Sequence, residues 1–395
     1  MAIRLRHNSA FFAATFAALA LCAGQCLAGP VDRSIVPDDA IWMVHVDVEA
    51  GLASVVGKSM LDRAKEDPRH SAIEQTKRMF GLDISKDVKA VTVIGLVDHQ
   101  DNGLVIVTTT AAADTMGENL ATTKCDGLET NRDRPNIVIH RWKRYGRSFE
   151  AAIHAGRIES ERFVVLADSP LQLEAGLALL APKAAAQDQG NRMPHAEPRK
   201  GSIFFATAAD MNQNSKQRPA AAILQAARFL VIDVGVSEPP PGEGGAQSQK
   251  MYGDATIGTA DNENAQKIQQ LTQGVLAFMA MSAADDADGQ AVVADLIKGV
   301  KITAERDRCV VESHHDAQTV AKVVDYMARQ REKERRDMME KHRGEKGGQN
   351  DHPDGRADGE RGPPPHMSRD EARPAAPGSS PGAATETSKE KTGPK

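Results

Sequence analysis

Apolar and polar positions alternate most regularly between Met251 and Met327, and that stretch frames the rest of the chain. Met251 to Thr259 follows the two-residue period of a strand and is followed by Asp261. Ile268, Leu271, Val275 and Phe278 then recur at helical spacing. Val292, Leu296 and Ile297 mark a shorter helix ended by Gly299. Val300 to Ser313 reads as a strand pair ending at Asp316, after which Val320, Val323, Val324 and Met327 return to helical spacing.

A looser version of this order runs from Ile41 to Leu180. Ile41 to Val46 alternates as a strand, and Leu52, Val55, Val56 and Met60 space one helix after Asp47. Ser71 to Phe80 is a second helical piece, ended by Gly81. The β-rich runs Val88 to Val97 and Leu104 to Thr110 are joined through Asp101-Asn102-Gly103, where Asn-Gly supplies the positive φ angles of a tight hairpin. A helix is predicted over Ala111 to Thr122, and strands over Ile137 to Trp142, Phe149 to His154 and Phe163 to Ala167. Ser169-Pro170-Leu171-Gln172 is a helix start: Ser caps, Pro fits the first turn and Gln reaches back. In the second half, Ile203 to Ala208 and Phe229 to Val236 read as strands, with a helix over Ala220 to Ala227 and a Pro- and Gly-rich loop over Glu238 to Gln249.

The pattern predicts an α+β protein of two similar halves, each a mostly antiparallel or mixed sheet with helices packed on one face. The boundaries it suggests are a signal peptide over 1–28, a first half over 29–181, a linker over 182–200, a second half over 201–328, a charged helical extension over 329–346 and a disordered tail over 347–395. In the extension, Glu332 and Arg336 stand one turn apart and can pair. The tail is Gly, Pro, Ser and charge, with almost nothing to bury against ordering entropy.

Composition narrows the classes. Hydrophobic residues are 41% of the chain but aromatics only 4%, so Ala, Val, Leu and Ile must build the core, and an aromatic-lined groove for sugars or bases is disfavoured. Formal net charge is -5, which lacks the footprint of a nucleic-acid binder. Arg4 and Arg6, the apolar run Ala10 to Leu21 and the small-residue site ending at Ala28 predict export to a periplasmic or secreted location. The run is short for a membrane anchor, and neither Leu21 before Cys22 nor Gln25 before Cys26 suits a lipoprotein site. No later segment is apolar and long enough to be a transmembrane helix. Cys125 and Cys309 remain after cleavage, either paired in the oxidising compartment or as separate thiols.

Candidate chemistry is sparse. Asp47, Asp168, Asp210, Asp261 and Asp316 each stand between a strand and a helical run, which predicts helix capping rather than a shared catalytic site. Ala284 to Gly289, with Asp295 twelfth, resembles a calcium loop but begins on Ala284, and a solvated acidic turn is the stronger reading. Asp98 to Gly103, with Thr109 twelfth, is a weaker match and gives way to the hairpin. His314 and His315 are neighbours on a strand and point to opposite faces. His45, His140 and His154 fall on strands as structural residues, while His342, His352 and His366 lie far apart near the end of the chain. No nucleophile elbow, His-Glu-x-x-His pair, P-loop or dinucleotide fingerprint is present, so no catalytic, cofactor-binding or metal residue is assigned and no cofactor is expected.

The opening Val36-Pro37-Asp38-Asp39-Ala40, followed by a strand and Val46-Asp47, resembles exported bacterial proteins with duplicated α+β halves and a charged, Ala- and Pro-rich tail. That resemblance covers about residues 36 to 328 and implies an architecture but no activity. The expected function is noncatalytic: an exported protein that binds a protein or envelope component. The alternative is a hydrolase or metal-dependent enzyme with a site between the halves.

Overall fold

The computed structural model describes residues 31–347, apart from 32, 38, 67–71, 97–102, 124, 145, 157–158, 182–192, 195, 211–225, 238–248 and 283–286. The segments expected as signal peptide and tail, most of the helix expected over Ala220 to Ala227, and the turn residues Asp101 and Asn102 lie outside or largely outside these. The chain divides into two compact units, Met1–Arg336 and Asp337–Lys395.

The protein is mixed α+β and antiparallel throughout its sheet. The strands are β1 (Ala40–Asp47), β2 (Val88–Leu96), β3 (Leu104–Thr110), β4 (Asp126–Arg134), β5 (Ile137–Arg144), β6 (Arg147–Ala155) and β7 (Glu161–Ala167), then β8 (Ser202–Ala209), β9 (Ala227–Ser237), β10 (Lys250–Thr259), β11 (Val300–Glu305) and β12 (Arg308–Asp316). The α-helices are α1 (Val48–Leu52), α2 (Val55–Glu66), α3 (Ala72–Phe80), α4 (Ile84–Asp87), α5 (Met116–Thr122), α6 (Pro170–Leu180), α7 (Asn262–Ser282), α8 (Ala287–Lys298) and α9 (Ala317–Gly347). One twelve-stranded sheet runs β11-β12-β10-β9-β8-β1-β2-β3-β7-β6-β5-β4. The sheets expected of two halves are continuous, because β1 pairs with β8 from Trp42↔Ala208 to Val46↔Phe204.

Alternation decides which side chains meet. On β2 and β3, Ile94, Leu104 and Ile106 enter one core, with Met43, Phe205 and Val165. Their neighbours Val93 and Val107 enter another, with Val46, Trp142 and Ile153. Successive strand residues face opposite sides, so these cores lie on the two faces of the sheet. Leu173 and Leu177 of α6, with Ile35, Val36 and Met193, close the first. Ile84 of α4 and Met116 and Leu120 of α5 close the second, where Trp142 stacks on Phe149 at 5.8 Å and meets Phe80 edge-on. Each fully buried side chain of this size stabilises the fold by roughly 1.5–3 kcal/mol. Helices thus cover both faces around β1, β2, β3 and β7, where one covered face was expected, because these strands are apolar at nearly every position. A third cluster packs Val320 and Val324 of α9 and Val56 of α2 against Met251 and Val236.

Local signals account for most element ends. Gly81 leaves α3 with φ +74°, a conformation that favours glycine. The single helix predicted after Asp47 is two, α1 and α2, because Ser54 interrupts it and its Oγ accepts from Gly57 N at 3.0 Å. Ala111–Thr115 is a 3-10 turn leading into α5. β4 was not anticipated: Asp126–Arg134 is polar on both faces, and the strand forms the sheet edge beside β5. Charged, irregular edge strands resist further pairing. α9 continues through the charged extension, and Arg336 Nη2 pairs with Glu332 Oε1 at 3.1 Å.

Cys125 and Cys309 are both free thiols, Cys125 half-buried and Cys309 buried. Pairing would need Cα atoms within about 7 Å. Cys309 lies on β12 and Cys125 adjoins β4, at opposite ends of the strand order. Strands are spaced about 4.8 Å apart, so the pairing is not available within one molecule.

Candidate interaction surface

α7 begins where Asp261 Oδ1 accepts from Asn264 N at 2.8 Å, as its capping position predicts. Ala265 and Ile268 are buried, and Gln269 Nε2 donates to Ile302 O of β11 at 3.1 Å. The helix thereby packs along β10, β11 and β12. Its apolar residues extend past this inner line onto the surface: Leu271 is 44% exposed, Val275 53%, Phe278 70%, Met279 40% and Met281 73%. Leu271, Val275 and Phe278 stand at i, i+4 and i+7, on one stripe. Between Ile268 and Met281 the helix carries no charged residue. Gly274 lies beside the stripe, and a Cβ there would meet nothing within 4 Å among the described residues. Removing the exposed area of each large side chain from water is worth roughly 1 kcal/mol. Chemically this surface offers mainly apolar contact, with Gln270 and Gln273 exposed on the same helix.

The richest polar cluster lies on one sheet face and was not anticipated. A single cross-strand row runs Lys301, Glu312, Asp254, Asp233, Phe205, His45, Thr92, Ile106 and Val165. It changes from aliphatic near β3 to carboxylate near β10, so three acids stand side by side on β9, β10 and β12. Arg199 compensates Asp254 and Asp233, while Lys301 Nζ pairs with Glu312 Oε2 at 3.3 Å. Arg199 Nη1 lies 2.5 Å from Asp254 Oδ2, its backbone N donates to Asp233 Oδ2 at 2.8 Å, and its guanidinium sits 5.4 Å from the Tyr252 ring centre. Tyr252 donates its hydroxyl proton to Asp233 Oδ1 at 3.3 Å. Burial, with help from Glu312 and Asp233 against Arg199, raises the Asp254 carboxyl above the usual range. Burial, then Asp233, raises the Tyr252 phenol. The signal for this row was the alternation Tyr252, Asp254, Thr256 on β10, whose meaning depends on partner strands that the sequence does not name.

The sequence-predicted residues do not converge. Asp47 caps α1, its Oδ1 accepting from Ala50 N at 2.7 Å. Asp168 does not cap α6: Ser169 does, accepting from Gln172 N at 3.4 Å, while Gln172 Oε1 accepts from Asp168 N. Asp316 ends β12, and Asp210 ends the described stretch after β8 with φ +51°. Asp83, not predicted, caps α4 through Ser85 N at 3.1 Å. His45 shares a 2.9 Å hydrogen bond with Thr92 Oγ1, His140 shares one of 3.0 Å with Thr130 Oγ1, and His154 pairs with Ala155 O. His314 is exposed and His315 half-buried, on opposite faces. Ala287 and the following residues of the calcium-like segment are helical, and Asp295 pairs with Lys298 at 3.1 Å. Asp285, Asp286 and Asp98 lie outside the described residues. Among the described residues no group of three His, Cys, Asp or Glu side chains could hold a metal ion. A cavity of about 250 Å³ lies at β4 and β5, lined by Glu129, Arg132, Asp133 and Arg141. It is smaller than the usual small-molecule pocket and polar where such pockets are apolar. No helix among the described residues is long and apolar enough to cross a membrane.

No family model and no curated protein matches the chain. Among solved structures, the crystal structure of DynU16, from the dynemicin biosynthetic locus, aligns with 71% of this chain and 87% of its own at 13% identity, with a TM-score of 0.10. A likeness at that level carries no argument.

Proposed function

We propose that this is an exported, noncatalytic protein that binds a protein component of the envelope through the outer face of α7. The observation that carries this is the exposure of Leu271, Val275 and Met281 on an uncharged stretch of α7. Exposed apolar patches of this kind mark interaction sites. An anionic lipid surface is a poorer fit, since membrane-lying helices carry Lys and Arg along their polar face and this stretch has none. The export part of this reading is supported by Arg4, Arg6 and the small-residue site ending at Ala28, and the location proposed is the periplasm or outside the cell. Duplication of an α+β half belongs to the same proposal. The orders β1-β2-β3-β7 and β8-β9-β10-β12, read outward from the central pair, support it.

The hydrolase reading has one observation in its favour, the row Asp233, Asp254 and Glu312. Arg199 and Tyr252 already engage two of these acids. A paired test separates the readings. Leu271→Glu should abolish recovery of bound envelope protein, and Asp254→Asn should leave it intact. Recovery that survives Leu271→Glu would overturn binding through α7. A hydrolytic activity lost with Asp254→Asn would establish the alternative.

A further inference from the structure

We infer that His140 is an acid-sensitive latch, whose protonation frees α5 and the edge strand β4 from the rest of the sheet. The inference is independent of the α7 face. His140 lies on β5 and is 2% exposed. Its Nδ1 shares a 3.0 Å hydrogen bond with Thr130 Oγ1 of β4. Its Nε2 is buried with no hydrogen-bond partner. Gly117 of α5 meets the same ring, and a Cβ added there would collide with His140 Cε1. Glycine here permits close approach, so the helix backbone rests on the imidazole. One ring therefore touches both elements that it would release.

A neutral ring suits this place and a charged one does not. An imidazolium donates from both nitrogens. Thr130 Oγ1 can accept from Nδ1, but Nε2 would carry a buried N–H with nothing to receive it. The described surroundings supply no counter-charge. From β4, the charge that acts on the ring is Arg132, itself a cation. α5 carries one charged residue, Glu118, which is exposed. The cross-strand row through His140 continues over Ala151, Leu166 and Val105 without charge. Along β5, its neighbours on that face are Val138 and Trp142. Burial first, and then Arg132, holds the imidazole below its ordinary range. Such a group stabilises the closed form above its ordinary value near 6.5, and that contribution is lost as pH falls below it. The loss falls on the least secured elements. β4 is paired on one side only, and its register with β5 breaks twice. α5 is a seven-residue helix held by Met116 and Leu120. Opening this corner costs less than unfolding the sheet. It bares Met116, Leu120 and Trp142, an apolar face that is hidden in the closed form.

The test is hydrogen exchange of the full chain between about pH 7.5 and 5, expressed as protection so that the pH dependence of intrinsic exchange is removed. Protection in α5 and β4 should fall by up to about tenfold per pH unit below about 6.5, since opening takes up one proton. His140→Phe keeps the ring shape and cannot titrate, so it should abolish the fall in both elements. Arg132→Glu places a carboxylate beside the ring and should shrink the fall, because the closed form then accepts the proton more readily. A merely structural histidine would give neither change. Protection of α5 and β4 that stays constant across the range overturns the proposal. So does a fall that persists in His140→Phe. Should that variant fail to fold, an equal fall in Arg132→Glu and the parent chain overturns it as well.

Discussion

Asp47 and His45, two residues apart on β1, titrate in opposite senses. Burial pushes the Asp47 carboxyl up to about 7, against the backbone hydrogen bond from Ala50. Burial pushes the His45 imidazole down to about 4. A raised carboxyl favours the folded state below its unfolded value near 3.8, and that contribution is lost as pH rises through about 7. A depressed imidazole favours the folded state above its unfolded value near 6.5, and that contribution is lost as pH falls through about 4. The two windows overlap between about pH 4 and 6.5, where they offset each other. Melting of Asp47→Asn should therefore fall on acidification across that window, and melting of His45→Gln should rise, each by an amount on the order of 2–4 kcal/mol. Parallel slopes in the two variants would show that neither group carries the effect. At this scale the capping role of Asp47 and Asp261 was legible, because strand-then-helix patterning puts an acceptor where N–H groups are unpaired. Asp168 was misassigned because Ser169, one residue on, wins the same position.

Elements were legible wherever one face is apolar. α6 and the strands β5, β6, β7 and β10 stand close to their predicted bounds, and α7 and α8 contain the apolar residues that marked them. β4 was hidden because an edge strand with both faces wet has no alternation to show. The split between α1 and α2 was hidden because Leu52, Val55 and Val56 keep helical spacing across the break. Ser54 makes that break, fully buried, with its Oγ on Gly57 N and its carbonyl accepting from Lys58 N. Ser54→Ala should cost about 1 kcal/mol, seen as a melting decrease of roughly 2–4 °C. An unchanged melting temperature would mean that α2 starts without its cap.

Within the first unit, what the sequence could not convey is which strands are neighbours. Pairing of β1 with β8 brings strands more than 150 residues apart into register and makes one sheet of twelve strands. The continuation of the acid row from Phe205 to His45 depends on it, as does the distance between Cys125 and Cys309. The apolar spacing of α7 was legible, but its exposure was not, because periodicity places residues on a face without saying what covers that face. Binding through α7 is tested most directly by methionine oxidation of the protein in its own compartment. Met281 is 73% exposed in the isolated chain, comparable with Met338 at 61% and Met339 at 62%, which serve as references in the same molecule. If α7 is an occupied interface, Met281 should oxidise several-fold more slowly than the two references there. It should regain their rate when the protein is diluted alone. Oxidation of Met281 at the same rate as Met338 and Met339 in the compartment would contradict the proposed function.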